Sequence, residues 1–414
     1  MKKSLQSIVA AFSVALVVIT MGAAFGVLSE RGAFIGIVST AVVTFVTAIV
    51  GGTKYGVTAP TGPMTAAIAV ILASNSDILG KTSQINEIEL LSITIFAAAI
   101  FVLLLTLLRV QKLISFIPQL VISGFVNGIA VLIAVSQIKA IHTQTDLWVA
   151  FSSLVILLIA GYFIHSKAHP AIKLVGSSFA VIVLMSILVA IFKIPATSLG
   201  VNSTFADLSF TLPSLASIDS SVIKFAVKLG FELAVIAILD TLLTSVIMDK
   251  KTKVESNHTK ELVGQSLSLL TTSFFGGIPG AQSTAPSVML HQEGGTHKYT
   301  KMYLALFCIV IMLLSPYVLP FLPSAVFAGI ILKVAIDIAD LTACKTILTK
   351  RKKHWLTQLF ILVGTILSTV LISLNMAVIF FTAFFIIYNK FFPTKHAIPD
   401  LVEFKEQEGL IDEI

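Results

Sequence analysis

Charge is what this chain has least of. Only 12% of its 414 residues are Asp, Glu, Lys or Arg, against about 25% in ordinary soluble domains, so a water-covered globule is excluded. Cysteine is nearly absent: Cys308 and Cys344 lie far apart without ligand-like spacing, which excludes a disulfide scaffold and a cysteine metal site. The eight histidines fall in or beside loops and form no metal constellation. No nucleophile–base pair stands out, which argues against an enzyme and for a chain with no resident cofactor. What the chain has in excess is apolar surface, 56% of residues and a mean hydropathy of +0.99. The net charge of +7 would suggest nucleic acid in a soluble protein. In a chain this apolar it is the charge of cytoplasmic loops.

The apolar run from about Leu5 to Leu28 is too long for the core of a signal peptide and reads as a first span. Thirteen further apolar segments follow, near 32–50, 56–73, 90–108, 117–137, 147–164, 171–192, 220–248, 262–275, 283–291, 301–319, 323–340, 355–373 and 376–391. The spacing predicts an all-α polytopic membrane protein with fourteen transmembrane segments. With both termini cytoplasmic, most Lys and Arg fall inside, in the clusters Arg109/Lys112, Lys250/Lys251/Lys253 and Lys350–Lys353, while the acidic loop from Ser74 to Glu89 lies outside. The expected location is the inner membrane.

Two strings recur at equivalent places in the two halves. Phe116–Gly124 opens the fifth segment and Phe321–Gly329 the twelfth; Gly51-Gly52 precedes Thr58-Ala59-Pro60, and Gly276-Gly277 precedes Thr284-Ala285-Pro286. Because seven is odd, the second half inserts upside down, giving the inverted repeat of many secondary transporters. Segments three and ten are short and rich in Gly, Pro, Ser and Thr. Pro60 pushes Ala59 toward extended geometry, so a half-helix from about Pro63 to Leu72 is expected. In the other half Gly280-Ala281-Gln282 is extended and a half-helix starts near Ser283 or Thr284, with Pro286 in its first turn, where a missing N–H is harmless. Two such N-termini, each with unpaired N–H groups and about half a positive charge, hold an anion without Lys or Arg. The hydroxyls of Thr61, Ser283 and Thr284 add hydrogen bonds. The plainer alternative is a pair of kinked helices.

Asp240 stands among apolar residues in the eighth segment, and an intramembrane carboxylate is a functional-site candidate by default. Thr244, four residues on, shares its helix face. A carboxylate, a hydroxyl and backbone carbonyls make a hard-oxygen cage for sodium. A protonated Asp240 bonding a neighbouring helix, or one carrying a proton, are the alternatives. Glu232, two turns earlier, reads as a vestibule residue.

These residues resemble a known family. Pro118–Gly128 with Gln137, the string Glu261-Leu262-Val263-Gly264-Gln265 followed by Phe275-Gly276-Gly277-Ile278-Pro279, and Pro323–Gly329 are similar to motifs of the SulP (sulfate permease) anion transporters. Pro60-Thr61-Gly62-Pro63-Met64-Thr65 and Asp240-x-Leu242-Leu243-Thr244-Ser245 are shared with the BicA-type, sodium-dependent bicarbonate transporters of that family. The resemblance implies the UraA-like fold, no enzymatic chemistry, a homodimer, and an elevator in which a core domain (1–108 and 193–319) moves against a gate domain (109–192 and 320–391). It implies that Thr61, Ser283 and Thr284 touch bicarbonate, and that Asp240 and Thr244, with backbone around Gly280 and Gln282, bind sodium. The chain departs from the family at Thr20, His258-Thr259 and Asn375. Only the short segment 392–414 follows the last span, so the soluble STAS domain common in the family is expected to be absent from this chain.

The expectation is therefore sodium-coupled bicarbonate import. The alternatives are a permease for sulfate or another small oxyanion, proton-coupled or exchanging, and a membrane receptor without transport. Nucleobase symporters share the architecture, but they are expected to carry carboxylates in segments three and ten, where this chain has none.

Overall fold

The computed structural model describes residues 2–78, 87–110, 117–141, 143–167, 177–196, 220–292, 294–318, 321, 323–350, 354–371 and 374–391. Outside the described residues lie Lys112 and Arg351–Lys353 of the cytoplasmic clusters, part of the acidic Ser74–Glu89 loop, His142, His169 and His396, and the segments 197–219 and 392–414.

The described residues form fifteen helices and two short strands: α1 (Lys2–Leu28), α2 (Ala33–Val50), β1 (Val57–Pro60), α3 (Gly62–Ile78), α4 (Glu87–Leu107), α5 (Gln119–Ala140), α6 (Gln144–Lys167), α7 (Ser177–Ile191), α8 (Ser220–Thr252), α9 (His258–Ser273), β2 (Gly280–Ser283), α10 (Thr284–Gln292), α11 (Thr300–Val318), α12 (Ser324–Ile338), α13 (Leu341–Lys350), α14 (Trp355–Leu371) and α15 (Leu374–Phe391). Each apolar segment read from the sequence overlaps one of these helices. The short α13 is additional: its Ala343 and Ile347 are buried while Leu341 and Leu348 are exposed, an amphipathic pattern in the stretch between the twelfth and thirteenth apolar segments. Among the described residues four helices, α1 from Leu5, α2, α4 and most of α11, are long and apolar enough to cross a membrane.

The chain divides into two compact units. One comprises Met1–Gln111 and Gln137–Lys333, the other Lys112–Ser136 and Val334–Ile414. In the first unit α4 packs against α8 and α9, and α2 against α1, α9 and α11. Helix α4 shows the solvent these helices are built for. Its inward face carries Leu90, Leu91, Ser92, Thr94, Ile95, Ala98, Ala99, Val102 and Thr106, all buried. Its outward face carries Phe96, Ile100, Leu103, Leu104 and Leu107, all exposed. A helix apolar on both faces suits lipid, not water. Two of the hydroxyls it buries bond back to its own carbonyls, Thr94 to Leu90 (2.8 Å) and Thr106 to Val102 (2.6 Å). Polar groups inside a membrane protein must be satisfied internally in this way.

In the second unit α14 packs on α15. Ser123 of α5 donates to the Asp340 carboxylate at 2.8 Å, and Asn127 Nδ2 donates to the Asp340 carbonyl at 3.1 Å. Gly124 and Gly128 lie against Thr365 and Thr369 of α14.

Candidate functional site

The centre of the first unit is the one place where backbone from the two halves of the sequence pairs strand to strand among the described residues. β1 and β2 are antiparallel, with Val57 opposite Ser283, Thr58 opposite Gln282, Ala59 opposite Ala281 and Pro60 opposite Gly280. Pro60 excludes helix before it, and Gly280 permits the approach. A Cβ on Gly280 would lie 2.7 Å from both the carbonyl carbon and the oxygen of Ala59, so any larger residue would push the strands apart.

Each strand runs directly into a helix, β1 into α3 and β2 into α10. Helix α3 begins at Gly62, as the Gly62-Pro63 start suggests, and continues to Ile78, beyond the Leu72 end expected from the sequence. Helix α10 begins at Thr284 and has nine residues. The similar strings Thr58-Ala59-Pro60 and Thr284-Ala285-Pro286 therefore occupy different places: the first lies in a strand, the second opens a helix. Because the strands are antiparallel, the two helix starts leave opposite ends of the ladder, about 10 Å apart at three residue rises. At each start the first-turn N–H groups have no acceptor within the helix, and Pro63 and Pro286 have none to offer.

Helix α8 ties both starts together. Thr61 donates its hydroxyl to Asp240 Oδ2 at 2.9 Å. One turn further on, Thr244 donates to the Gln282 carbonyl at 2.9 Å and lies 2.7 Å from the Thr284 hydroxyl. With its single proton on Gln282, the Thr244 oxygen accepts from Thr284, so the order is Thr284 to Thr244 to Gln282. The sequence reading assigned Thr61, Ser283 and Thr284 to the anion, and Asp240 and Thr244 with backbone around Gly280 and Gln282 to the cation. The structure joins Thr61 to Asp240 and Thr284 to Thr244. Asp240 is half-buried, whereas Thr61 and Thr244 are buried.

The remaining candidates hold the ladder. Gln282 is 1% exposed. Its Oε1 lies 2.7 Å from the Ser245 hydroxyl, and its Nε2 reaches Thr53 Oγ1 at 3.5 Å. The Gly280 carbonyl accepts from the side-chain amide of Gln265 on α9. Ser283 is half-buried, and its carbonyl accepts from Ser287, which in turn accepts from the Val57 N–H at 2.9 Å. The Thr58 carbonyl accepts from Thr44 of α2 at 2.8 Å.

Two charged residues without a role in the sequence reading bracket the ladder. The carboxylate of Glu261 accepts from the N–H groups of Gly52 (2.6 Å) and Thr53 (2.8 Å), just before β1. Arg31 Nε donates to the Gly276 carbonyl at 3.0 Å, just before β2. Burial lowers the Arg31 pKa from its usual value, and the carboxylate of Glu87 opposes that shift. The Gly-Gly pairs were the visible signal; their partners come from the opposite half of the chain.

A helical unit organised around two antiparallel strands, each followed by a helix start, with helices apolar enough to cross a membrane, defines the class of fold: a mostly helical membrane protein. The chain belongs to the sulfate permease family, whose sequence profile matches residues 5–147 and 141–363. It is 28% identical over 385 residues to "Bicarbonate transporter BicA" of Picosynechococcus sp., covering 88% of this chain and 66% of that protein. It is 26% identical over 408 residues to "Putative sulfate transporter YvdB" of Bacillus subtilis, covering 91% of this chain and 72% of that protein. The chain thus spans just under two thirds of the length of BicA. The solved transmembrane domain of a cyanobacterial BicA superposes with a TM-score of 0.78 at 25% identity, covering 91% of this chain and 97% of that domain. SLC26A9 superposes with a TM-score of 0.78 at 16% identity, covering 92% of this chain and 64% of that one, a likeness of fold.

Proposed function

We propose that this protein is a secondary active transporter of a small inorganic anion, coupling bicarbonate import to sodium. The observation that carries the reading is the linkage of both helix starts to one helix: Asp240 to Thr61, and Thr244 to Gln282 and Thr284. An anion held by the first-turn N–H groups and by Thr61, Ser283 and Thr284 would sit beside the Asp240 carboxylate and be repelled by it. A sodium ion on the oxygens of Asp240, Thr244 and the carbonyls near Gly280 and Gln282 removes that repulsion. Each ion then raises the affinity for the other by the same factor. Fourteen crossings in a seven-plus-seven inverted repeat, with half-helices at segments three and ten, fit this scheme. So does an elevator of residues 1–108 and 193–319 against 109–192 and 320–391, within a homodimer in the cell membrane. That division differs from the two compact units in placing α6, α7 and most of α12 with the gate.

The name of the Bacillus subtilis relative YvdB favours a second reading, a sulfate or other oxyanion permease; in its proton-coupled form Asp240 carries the proton. Uptake of labelled bicarbonate and sulfate into proteoliposomes, with and without a sodium gradient, separates the two. Sodium-stimulated bicarbonate uptake that Asp240→Asn abolishes supports symport. Uptake indifferent to sodium but driven by a pH gradient replaces it with the proton-coupled reading.

A further inference from the structure

We infer that Glu261 is a positioning residue for the ion site: its carboxylate locks the backbone entering β1, and through Thr53 and Gln282 it fixes the oxygens that face α8. Glu261 is 1% exposed and lies in the first turn of α9, where the helix N-terminus favours negative charge. Its neighbours are built to admit it. A Cβ on Gly52 would lie 2.2 Å from the Asn257 carbonyl, one on Gly51 would lie 2.9 Å from Glu261 Oε2, and one on Gly264 would lie 3.2 Å from the Gly51 backbone. The end of α2 thus meets the start of α9 backbone to backbone, and Asn257 N–H donates to the Gly52 carbonyl at 3.1 Å.

A buried carboxylate would be costly here without compensation. Two backbone N–H groups satisfy it, and such charge-assisted bonds are roughly twice as strong as neutral ones. Lys301 of α11 donates to the Thr53 carbonyl at 3.3 Å, so Thr53 is held at both its N–H and its carbonyl by charged side chains from two other helices. From Thr53 the chain of contacts runs through its hydroxyl to Gln282 Nε2, and from Gln282 to Ser245 and Thr244 on α8. Glu261 never reaches the ions in this arrangement. Its effect is on where Gln282 and Thr244 stand.

The test has two arms, of which only the second rests on the transport reading. In the first, amide hydrogen exchange is followed in purified wild type, Glu261→Ala, Glu261→Gln and Ser266→Ala. Ser266 lies on the same helix but donates to the Ala99 carbonyl of α4, so its loss loosens α9 without touching the ladder. Glu261→Ala is expected to speed exchange across residues 52–60 and 280–283 by about tenfold or more, the size of one lost bond to a charged group. Glu261→Gln, which keeps an acceptor, is expected to show a smaller effect, and Ser266→Ala none there. In the second arm, bicarbonate uptake is titrated with sodium chloride. Glu261→Ala is expected to raise the half-saturating sodium concentration with a smaller change in maximal rate, and Glu261→Gln to recover part of the loss. Exchange at 280–283 that stays at the wild-type rate in Glu261→Ala, or that rises equally in Ser266→Ala, overturns the proposal. A wild type without sodium-dependent uptake overturns the symport reading and leaves the first arm to decide this one.

Discussion

The two broken segments reach the same ladder by unlike chemistry. Before β1, a buried carboxylate from α9 takes two backbone N–H groups. Before β2, a half-buried guanidinium from the α1–α2 turn gives one N–H to a backbone carbonyl. The first turn keeps ordinary dihedrals at Gly51. The second puts Gly276 at φ 54°, a left-handed conformation that costs a side-chain-bearing residue about 1–2 kcal/mol. The helices that follow differ as well, seventeen residues for α3 and nine for α10. Both strands meet in one ladder, and each is anchored in its own way. Gly-Gly is common to both anchors for unlike reasons: Gly51 and Gly52 lie against backbone, whereas Gly276 and Gly277 lie against the side chains of Ile88, Phe275 and Ser39.

Breaking the ladder itself should have the largest effect. Gly280→Ala places a methyl group against the Ala59 backbone, which cannot rotate away as a side chain would. Overpacking of this kind costs about 1–3 kcal/mol, and loss of both thermal stability in detergent and uptake is expected. A variant that keeps wild-type stability and uptake would mean that the strands separate freely. Next come the two anchors. Glu261→Ala leaves two inward N–H groups without their acceptor and should cost about 1–3 kcal/mol. Arg31→Ala removes one half-buried bond and should cost about 0.5–1.5 kcal/mol. Melting midpoints measured side by side give the order; an Arg31→Ala protein less stable than Glu261→Ala would reverse the comparison. The smallest effect sharpens it at the helix starts. Thr244→Val removes the hydroxyl linking Thr284 to Gln282, and Thr61→Val removes one bond to Asp240. Each should weaken apparent sodium affinity by about three- to tenfold, the size of one hydrogen bond, with Thr244→Val the larger. Sodium titration of uptake is the measurement.

Much of this was legible in the sequence, and the reasons are local. Pro60, Gly62-Pro63 and Pro286 act on their own backbone, so they mark where helix stops and starts whatever the rest of the chain does. Asp240 is conspicuous because its neighbours are apolar. The pairing of Val57–Pro60 with Gly280–Ser283 is different, since neither strand alternates apolar with polar residues and each is too short to carry a period. The anchors were hidden for a related reason. Glu261 and Arg31 look like residues at helix ends near water, and only the fold brings them to glycines in the other half. The hydrogen bonds from Thr61 to Asp240 and from Thr284 to Thr244 were also out of reach, because residue type names candidate ligands without showing which of them touch one another.

The ladder also sets an order of events at the ribosome. β1 leaves the ribosome about 220 residues before β2 does, which at about 5–20 residues per second is a delay of about 10–45 s. Throughout that interval Val57–Pro60 sits among apolar surroundings with backbone groups that have no strand to meet. A stalled or truncated product ending before Gly280 would expose that edge indefinitely. The first half of this protein therefore depends on whatever shelters it in the membrane until the second half arrives, and its nascent form should be a preferred client of quality-control proteolysis.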